Sequence, residues 1–199
     1  IVATNVLSLA SSDVKSVRFI TSNQASCKAL HWRGHLEKTM NLYSLTEDLA
    51  NQLVLRHWRL ATAESCTGGG VAAACTDLPG SSAWFDCGFV TYSNEAKMQL
   101  LGVSKETLVV DGAVSEATVR EMVAGAVSHS CADVAVSISG IAGPGGSVPG
   151  KPVGTVWFAW GNHRRISAEC CHFDGDRAAV RQQAVIHAIR GLTRWLEQA

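Results

Sequence analysis

The sequence predicts an α/β domain, a mostly parallel sheet covered by helices on both faces, with one strand running antiparallel. Three patterns carry that expectation. From Met40 onward, strand-like runs alternate with runs whose apolar residues repeat at helical spacing, the order that builds a sheet between two helical layers. Two of the strand-like runs end in glycine-rich turns, Ala63-Glu-Ser-Cys-Thr-Gly-Gly-Gly70 and Gly140-Ile-Ala-Gly-Pro-Gly-Gly-Ser147, where a parallel sheet places its ligands. Val153–Trp160 and Arg165–Phe173 read as strands joined by a four-residue turn containing Gly161 and Asn162, hence as an antiparallel hairpin.

Composition narrows the class. A chain of 199 residues is long enough for one well-packed domain, and its formal net charge is zero, so no basic surface calls for a nucleic acid. No run approaches the ~18 apolar residues that span a bilayer. The seven cysteines are odd in number and contain no Cys-x-x-Cys pair, which suits free thiols in a reducing cytoplasm better than a disulfide framework.

Residues 1–39 differ from the rest. They carry Lys15, Arg18, Lys28, Arg33 and Lys38 against Asp13 and Glu37, are rich in Ser and Asn, and show no sustained period. The expectation is a disordered leader or translated upstream sequence, with the native start at Met40 and the domain over 40–199; a transit peptide is the alternative. His31 and His35 lie four apart but lack the glutamate of a zincin helix, so they read as coincidence.

Within 40–199, Ser44-Leu-Thr-Glu47 reads as a capping box that opens a helix to about His57, with Leu45, Leu49 and Leu53 on one face. Arg59–Thr62 is a short strand that leads into the Ser65 turn and a helix over Val71–Cys75, closed by Asp77-Leu-Pro-Gly80. Phe85–Tyr92 reads as a strand, and Asn94 as the cap of a helix that Gly102 ends. Further helices start at Ser104 and Ser115, the latter with Val119, Met122, Val123, Ala126 and Val127 on one stripe. Asp133–Ser139 alternates as a strand, and a last helix runs from about Asp176 to Glu197.

At the Ser65 turn, small side chains and free backbone N–H groups precede a helix, a place that holds an anion or a developing oxyanion. Alternatively, Ser65 or Thr67 simply caps that helix. Four stretches together decide for chemistry: Ala63-Glu-Ser-Cys-Thr-Gly-Gly69, Gly88-Phe-Val-Thr-Tyr-Ser-Asn-Glu-Ala-Lys97, Ser139-Gly-Ile-Ala-Gly-Pro-Gly-Gly146 and Lys151-Pro-Val-Gly-Thr-Val-Trp157. In order and spacing, over about Leu42–Leu196, they resemble the nicotinamide-nucleotide amidases, the CinA C-terminal domain family.

The resemblance implies a three-layer α/β/α sandwich with a mixed five-stranded sheet, one strand antiparallel. It also implies hydrolysis of the carboxamide of nicotinamide mononucleotide to nicotinate mononucleotide and ammonia. Carried over by position, Ser65 matches the family's nucleophile, Lys97 its general base and Tyr92 a tyrosine that relays or orients the proton. Lysine acts as a base only when desolvation or nearby positive charge lowers its pKa, and the substrate's pyridinium is one source of that charge. Without the motif, Lys97 would read as a solvated helix lysine. Candidate substrate contacts are Thr67, Gly68 and Gly69 in the first turn and Gly140, Ile141, Ala142 and Gly143 in the second. Backbone amides near Thr67 and Gly68, or from the Gly140 loop, are the candidate oxyanion hole. Arg177, at a helix start, is the candidate for the phosphate, against an ordinary first-turn arginine.

Other groups read as structural. Cys66 has no accompanying histidine motif, and Cys170-Cys171-His172 lies on a strand whose neighbours face opposite sides, a poor set for one metal. Within 40–199 nothing matches Gly-x-Ser-x-Gly or Ser-x-x-Lys. The expectation is therefore a cytoplasmic amidase of pyridine-nucleotide salvage with no cofactor and no metal, acting on a small molecule. Neither a nucleic acid nor a membrane is expected as partner, and the resemblance implies a homo-oligomer. The alternatives are a nucleotide-binding module tied to competence or DNA damage, and a Ser-Lys amidase for another small amide.

Overall fold

The computed structural model describes residues 42–199; the expected leader, with His31 and His35, lies outside them. A helix α1 occupies 42–56. There follow strand β1 (Leu60–Glu64), helix α2 (Gly70–Thr76), a short 3-10 turn (Ser81–Ala83), β2 (Phe85–Val90), α3 (Asn94–Leu101), α4 (Lys105–Val110) and α5 (Glu116–Ser128). Strand β3 (Val134–Gly140), the hairpin β4 (Thr155–Gly161) and β5 (Ile166–His172), and α6 (Arg177–Glu197) complete the domain.

The five strands form one sheet in the order β2-β1-β3-β4-β5. β1 is parallel to β2 and β3, while β4 is antiparallel to both β3 and β5, so β4 alone runs against the rest. Two apolar layers flank the sheet. On one face α1, α2 and α6 bury Leu49, Leu53, Val71, Ile189 and Leu192 against Leu60, Ile138 and Phe158. On the other, α3, α4 and α5 bury Leu101, Leu108, Val119, Met122 and Val123 against Ala61, Ala63, Ala135 and Ala159. Large side chains on one side of the strands and alanines on the other set α5 close to the sheet. The mixed three-layer α/β/α architecture is the expected one.

Local detail departs from the expectation in several places, β2 ending at Val90 and β4 starting at Thr155 among them. Ser44 is inside α1 and caps nothing; the helix already holds residue 42, whose carbonyl accepts from the Thr46 hydroxyl at 2.8 Å. Ser93, rather than Asn94, caps α3, accepting from the Ala96 amide. β1 runs on through Ala63 and Glu64, which the sequence had placed in the turn. β3 is buried along almost its whole length: its alternating serines face the layer of α5 instead of water, with Ser137 donating to the Val119 carbonyl and Ser139 to that of Ala113, both at 2.7 Å. The hairpin turn forms as expected, with Asn162 Oδ1 accepting from the amides of Arg164 and Arg165.

β1, β2 and β3 end at one edge of the sheet. Past Glu64 and past Gly140 the chain turns across that edge, and the segment following β2 carries Thr91, Tyr92 and α3 to the same place.

Candidate active site

The Ser65 turn is held from three directions. Gly69 takes a left-handed backbone (φ 90°) as it hands the chain to α2, a conformation that glycine adopts without strain. The side chain of Glu64, fully buried, accepts from the first amides of the helix, Val71 N at 3.1 Å and Ala72 N at 2.9 Å. From α6, Arg181 donates to the carbonyls of Cys66 (3.1 Å) and Thr67 (2.8 Å). Neither Glu64 nor Arg181 was marked by the sequence. The anion at the start of α2 is thus the chain's own carboxylate, and neither Ser65 nor Thr67 caps the helix.

α3 brings its buried lysine to this turn. Lys97 is 1% exposed; its Nζ donates to Ser65 Oγ at 3.1 Å and to the Thr91 carbonyl at 2.9 Å. Among the described residues no carboxylate is within ion-pair distance of it. Burial holds the Lys97 amine below its ordinary pKa, since taking the ammonium out of water disfavours the charged form. The same burial pushes the neighbouring Cys66 thiol up to about 11, so at neutral pH it is not a thiolate nucleophile.

Ser65, Cys66, Tyr92, Lys97, Ser139, Gly140, Ala142 and Arg177 share one cleft of about 230 Å³, whose remaining wall is Ala113 and Val114. That wall is pinned: Ser139 donates to Ala113, and Ser115 and Thr118 both donate to the Gly112 carbonyl at 2.8 Å. Gly140 is required at its position because a Cβ would stand 2.9 Å from the Thr155 carbonyl of the neighbouring strand.

The remaining expected residues sit less directly. Thr67 is fully buried, and neither it nor Gly68 or Gly69 lines the cleft. The Gly68 amide is spent on the Ser65 carbonyl and that of Ile141 on Thr155, whereas the amides of Cys66 and Thr67 donate to no backbone carbonyl among the described residues. Tyr92, 62% exposed, lines the same cleft; its hydroxyl accepts from Arg177 (3.1 Å) and hydrogen-bonds neither Ser65 nor Lys97. Arg177 also donates to the Gly143 carbonyl at 2.9 Å, tying the second glycine loop to the start of α6.

Fold and site together define a class: an α/β/α domain that sets a serine hydroxyl against a desolvated lysine at the carboxyl edge of its parallel strands. A family model, the CinA C-terminal domain, matches residues 42–196, and the chain belongs to that family. It is 56% identical over 153 residues to the nicotinamide-nucleotide amidohydrolase PncC of Escherichia coli K12, covering 76% of this chain and 92% of that protein. The protein of that name from Pseudomonas putida is 56% identical over 134 residues, covering 67% of this chain and 84% of its own. Among solved structures, a CinA superfamily protein from Klebsiella pneumoniae superimposes with a TM-score of 0.77 at 47% identity, covering 79% of this chain and 99% of the other. A competence/damage-inducible protein from Agrobacterium tumefaciens gives 0.76 at 40% identity, covering 79% and 96%.

Proposed function

We propose that the chain hydrolyses the carboxamide of nicotinamide mononucleotide, releasing ammonia and nicotinate mononucleotide for NAD salvage. The observation that carries the reading is the 3.1 Å contact between Lys97 Nζ and Ser65 Oγ in a cleft where burial favours the neutral amine. The names of the relatives from Escherichia coli and Pseudomonas putida support the substrate.

In the working form the amine is neutral and the Ser65 hydroxyl donates to it. Oγ attacks the amide carbon while its proton passes to Lys97; the carbonyl oxygen becomes an oxyanion, for which the Cys66 amide, in the cleft wall and without a backbone partner, is the candidate donor. Collapse breaks the C–N bond, and the ammonium of Lys97 returns the proton to the departing nitrogen, which leaves as ammonia. Water then gives a proton to Lys97 as its oxygen bonds to the acyl carbon; the ester C–O bond breaks and Lys97 passes that proton to the departing Ser65 Oγ, freeing the acid and restoring both groups. The pyridinium of the substrate adds a positive charge beside Lys97 and lowers its pKa further. Arg177 has five N–H donors and spends two on Gly143 and Tyr92, leaving others for the phosphate.

The active unit is residues 40–199, a homo-oligomer in the cytoplasm whose reaction uses no metal or cofactor in the cleft; the free cysteines among the described residues suit that compartment. Ammonia release from the mononucleotide, with trapping of an ester on Ser65 by mass spectrometry, tests the reading. Ammonia without a Ser65 adduct, and undiminished in Ser65→Ala, refutes the mechanism; no ammonia at all refutes the activity.

A further inference from the structure

On the α6 side of the sheet, away from the cleft, three ligand-type side chains meet. Glu169 and Cys171 are two apart on the edge strand β5, so both point to that face, and His187 reaches them from α6. Cys171 Sγ is 3.4 Å from His187 Nε2, His187 Nε2 is 3.3 Å from Glu169 Oε2, and Cys171 Sγ is 3.6 Å from Glu169 Oε1. The sequence pair Cys171-His172 is split across the strand as its alternation requires; the histidine that completes the set comes from 16 residues further on.

We propose that Glu169, Cys171 and His187 bind one divalent transition-metal ion, zinc in the first instance, clipping β5 to α6. A tetrahedral zinc with sulfur, nitrogen and oxygen ligands spaces its ligand atoms roughly 3.3–3.6 Å apart. Sγ to Nε2 and Nε2 to Oε2 already match two such edges; the 3.6 Å from Sγ runs to the other carboxylate oxygen, Oε1, so a small rotation of the Glu169 carboxylate completes the third. The histidine is preorganised: its ring packs 4.7 Å from Phe158 and 5.9 Å from both Trp160 and Phe173, which leaves Nε2 aimed at the strand. Thiolate, carboxylate and neutral imidazole balance a dication once the thiol proton has left to solvent. Glu169 is exposed and Cys171 and His187 only part-buried, so an ion can reach the three from solvent and take water as its fourth ligand.

Arg194 stands 3.9 Å from the Glu169 carboxylate, mostly exposed. It balances that charge when no ion is bound and moves into solvent when one is. The set Cys/His/carboxylate favours zinc, cobalt and copper over calcium or magnesium. Binding would join the edge strand to the helix that carries Arg177 and Arg181.

The test is titration of the full chain with Co²⁺, then displacement by Zn²⁺. One equivalent of cobalt should give a thiolate-to-metal band in the near ultraviolet and the intense visible bands of a tetrahedral centre, and zinc should abolish both. Cys171→Ser should remove the thiolate band, and His187→Gln should weaken binding at least ~100-fold, beyond the loss that follows removal of an outer partner. Cys170→Ala, on the opposite face of β5, should leave the titration unchanged. In the native chain zinc should also protect Cys171, but not Cys170, from alkylation in peptide mapping. A native chain without the thiolate band, or a band that persists in a folded Cys171→Ser, overturns the proposal. Ammonia release is a separate readout, so the two readings stand or fall apart.

Discussion

Lys97 reaches Ser65 with its amine 3.1 Å from the hydroxyl across 32 residues of chain, and both groups are held from below. The Thr91 carbonyl fixes the amine, while Glu64 and Arg181 fix the turn that presents the hydroxyl. Among the described residues, neither side chain hydrogen-bonds any other side chain. The pair should therefore behave as a unit. Ser65→Ala should lower the rate of ammonia release by at least ~10³-fold, Lys97→Met by a comparable factor, and the double variant little more than either. Lys97→Arg should be nearly inactive too, because a guanidinium does not give up its proton. Steady-state ammonia assays check all four; full activity in Lys97→Arg would remove lysine as the base.

Much of that arrangement was legible in the chain. The turn residues around Ser65, the helix stripes of α5 and α6, and the hairpin with Asn162 in its turn follow from local rules that tertiary contacts did not override. What escaped depended on those contacts. Glu64 caps α2 only because β1 runs two residues further than the strand pattern showed and turns the carboxylate under the helix. Arg181 braces a turn more than a hundred residues away. The hydrogen bond from Arg177, at the start of α6, to the Tyr92 hydroxyl joins residues 85 apart and shows in no local pattern. Ser137 and Ser139 are buried in β3 because the carbonyls of Val119 and Ala113 accept from them, acceptors that no periodicity shows.

If Arg177 meets the substrate's phosphate, Arg177→Ala should raise KM about 10- to 100-fold while changing kcat much less, the loss of one or two charge-assisted hydrogen bonds. The nucleoside, which has no phosphate, makes the discriminating substrate. With it the native chain and Arg177→Ala should give nearly equal KM values, and an undiminished difference would make the arginine a brace for Gly143 and Tyr92 instead.

Glu64→Gln tests the cap. The carboxamide keeps the shape but offers one acceptor where two amides, Val71 and Ala72, now find partners. Leaving one buried amide unpaired should cost about 1–3 kcal/mol in unfolding free energy, read from denaturant melts. Because the same helix start positions the Ser65 turn, kcat should fall as well. A variant as stable as the native chain would show that the turn does not depend on this carboxylate.

The pH response of activity and of stability should come from the same lysine and share a sign. Burial lowers the Lys97 pKa in the folded chain, whereas the unfolded chain keeps a value near ~10.4. Activity should rise with pH as the amine loses its proton, with a midpoint well below that figure. Between the lowered folded value and ~10.4 the unfolded chain binds the extra proton, so unfolding free energy must also increase with pH across that window. Lys97→Met removes the group and with it this slope. The thermal midpoint of the native chain should therefore gain on that of Lys97→Met as pH is raised from neutrality, measured by calorimetry at matched ionic strength. A constant difference between the two midpoints across the window would mean that the lysine titrates normally in the folded state, and the dyad would lose its base at neutral pH.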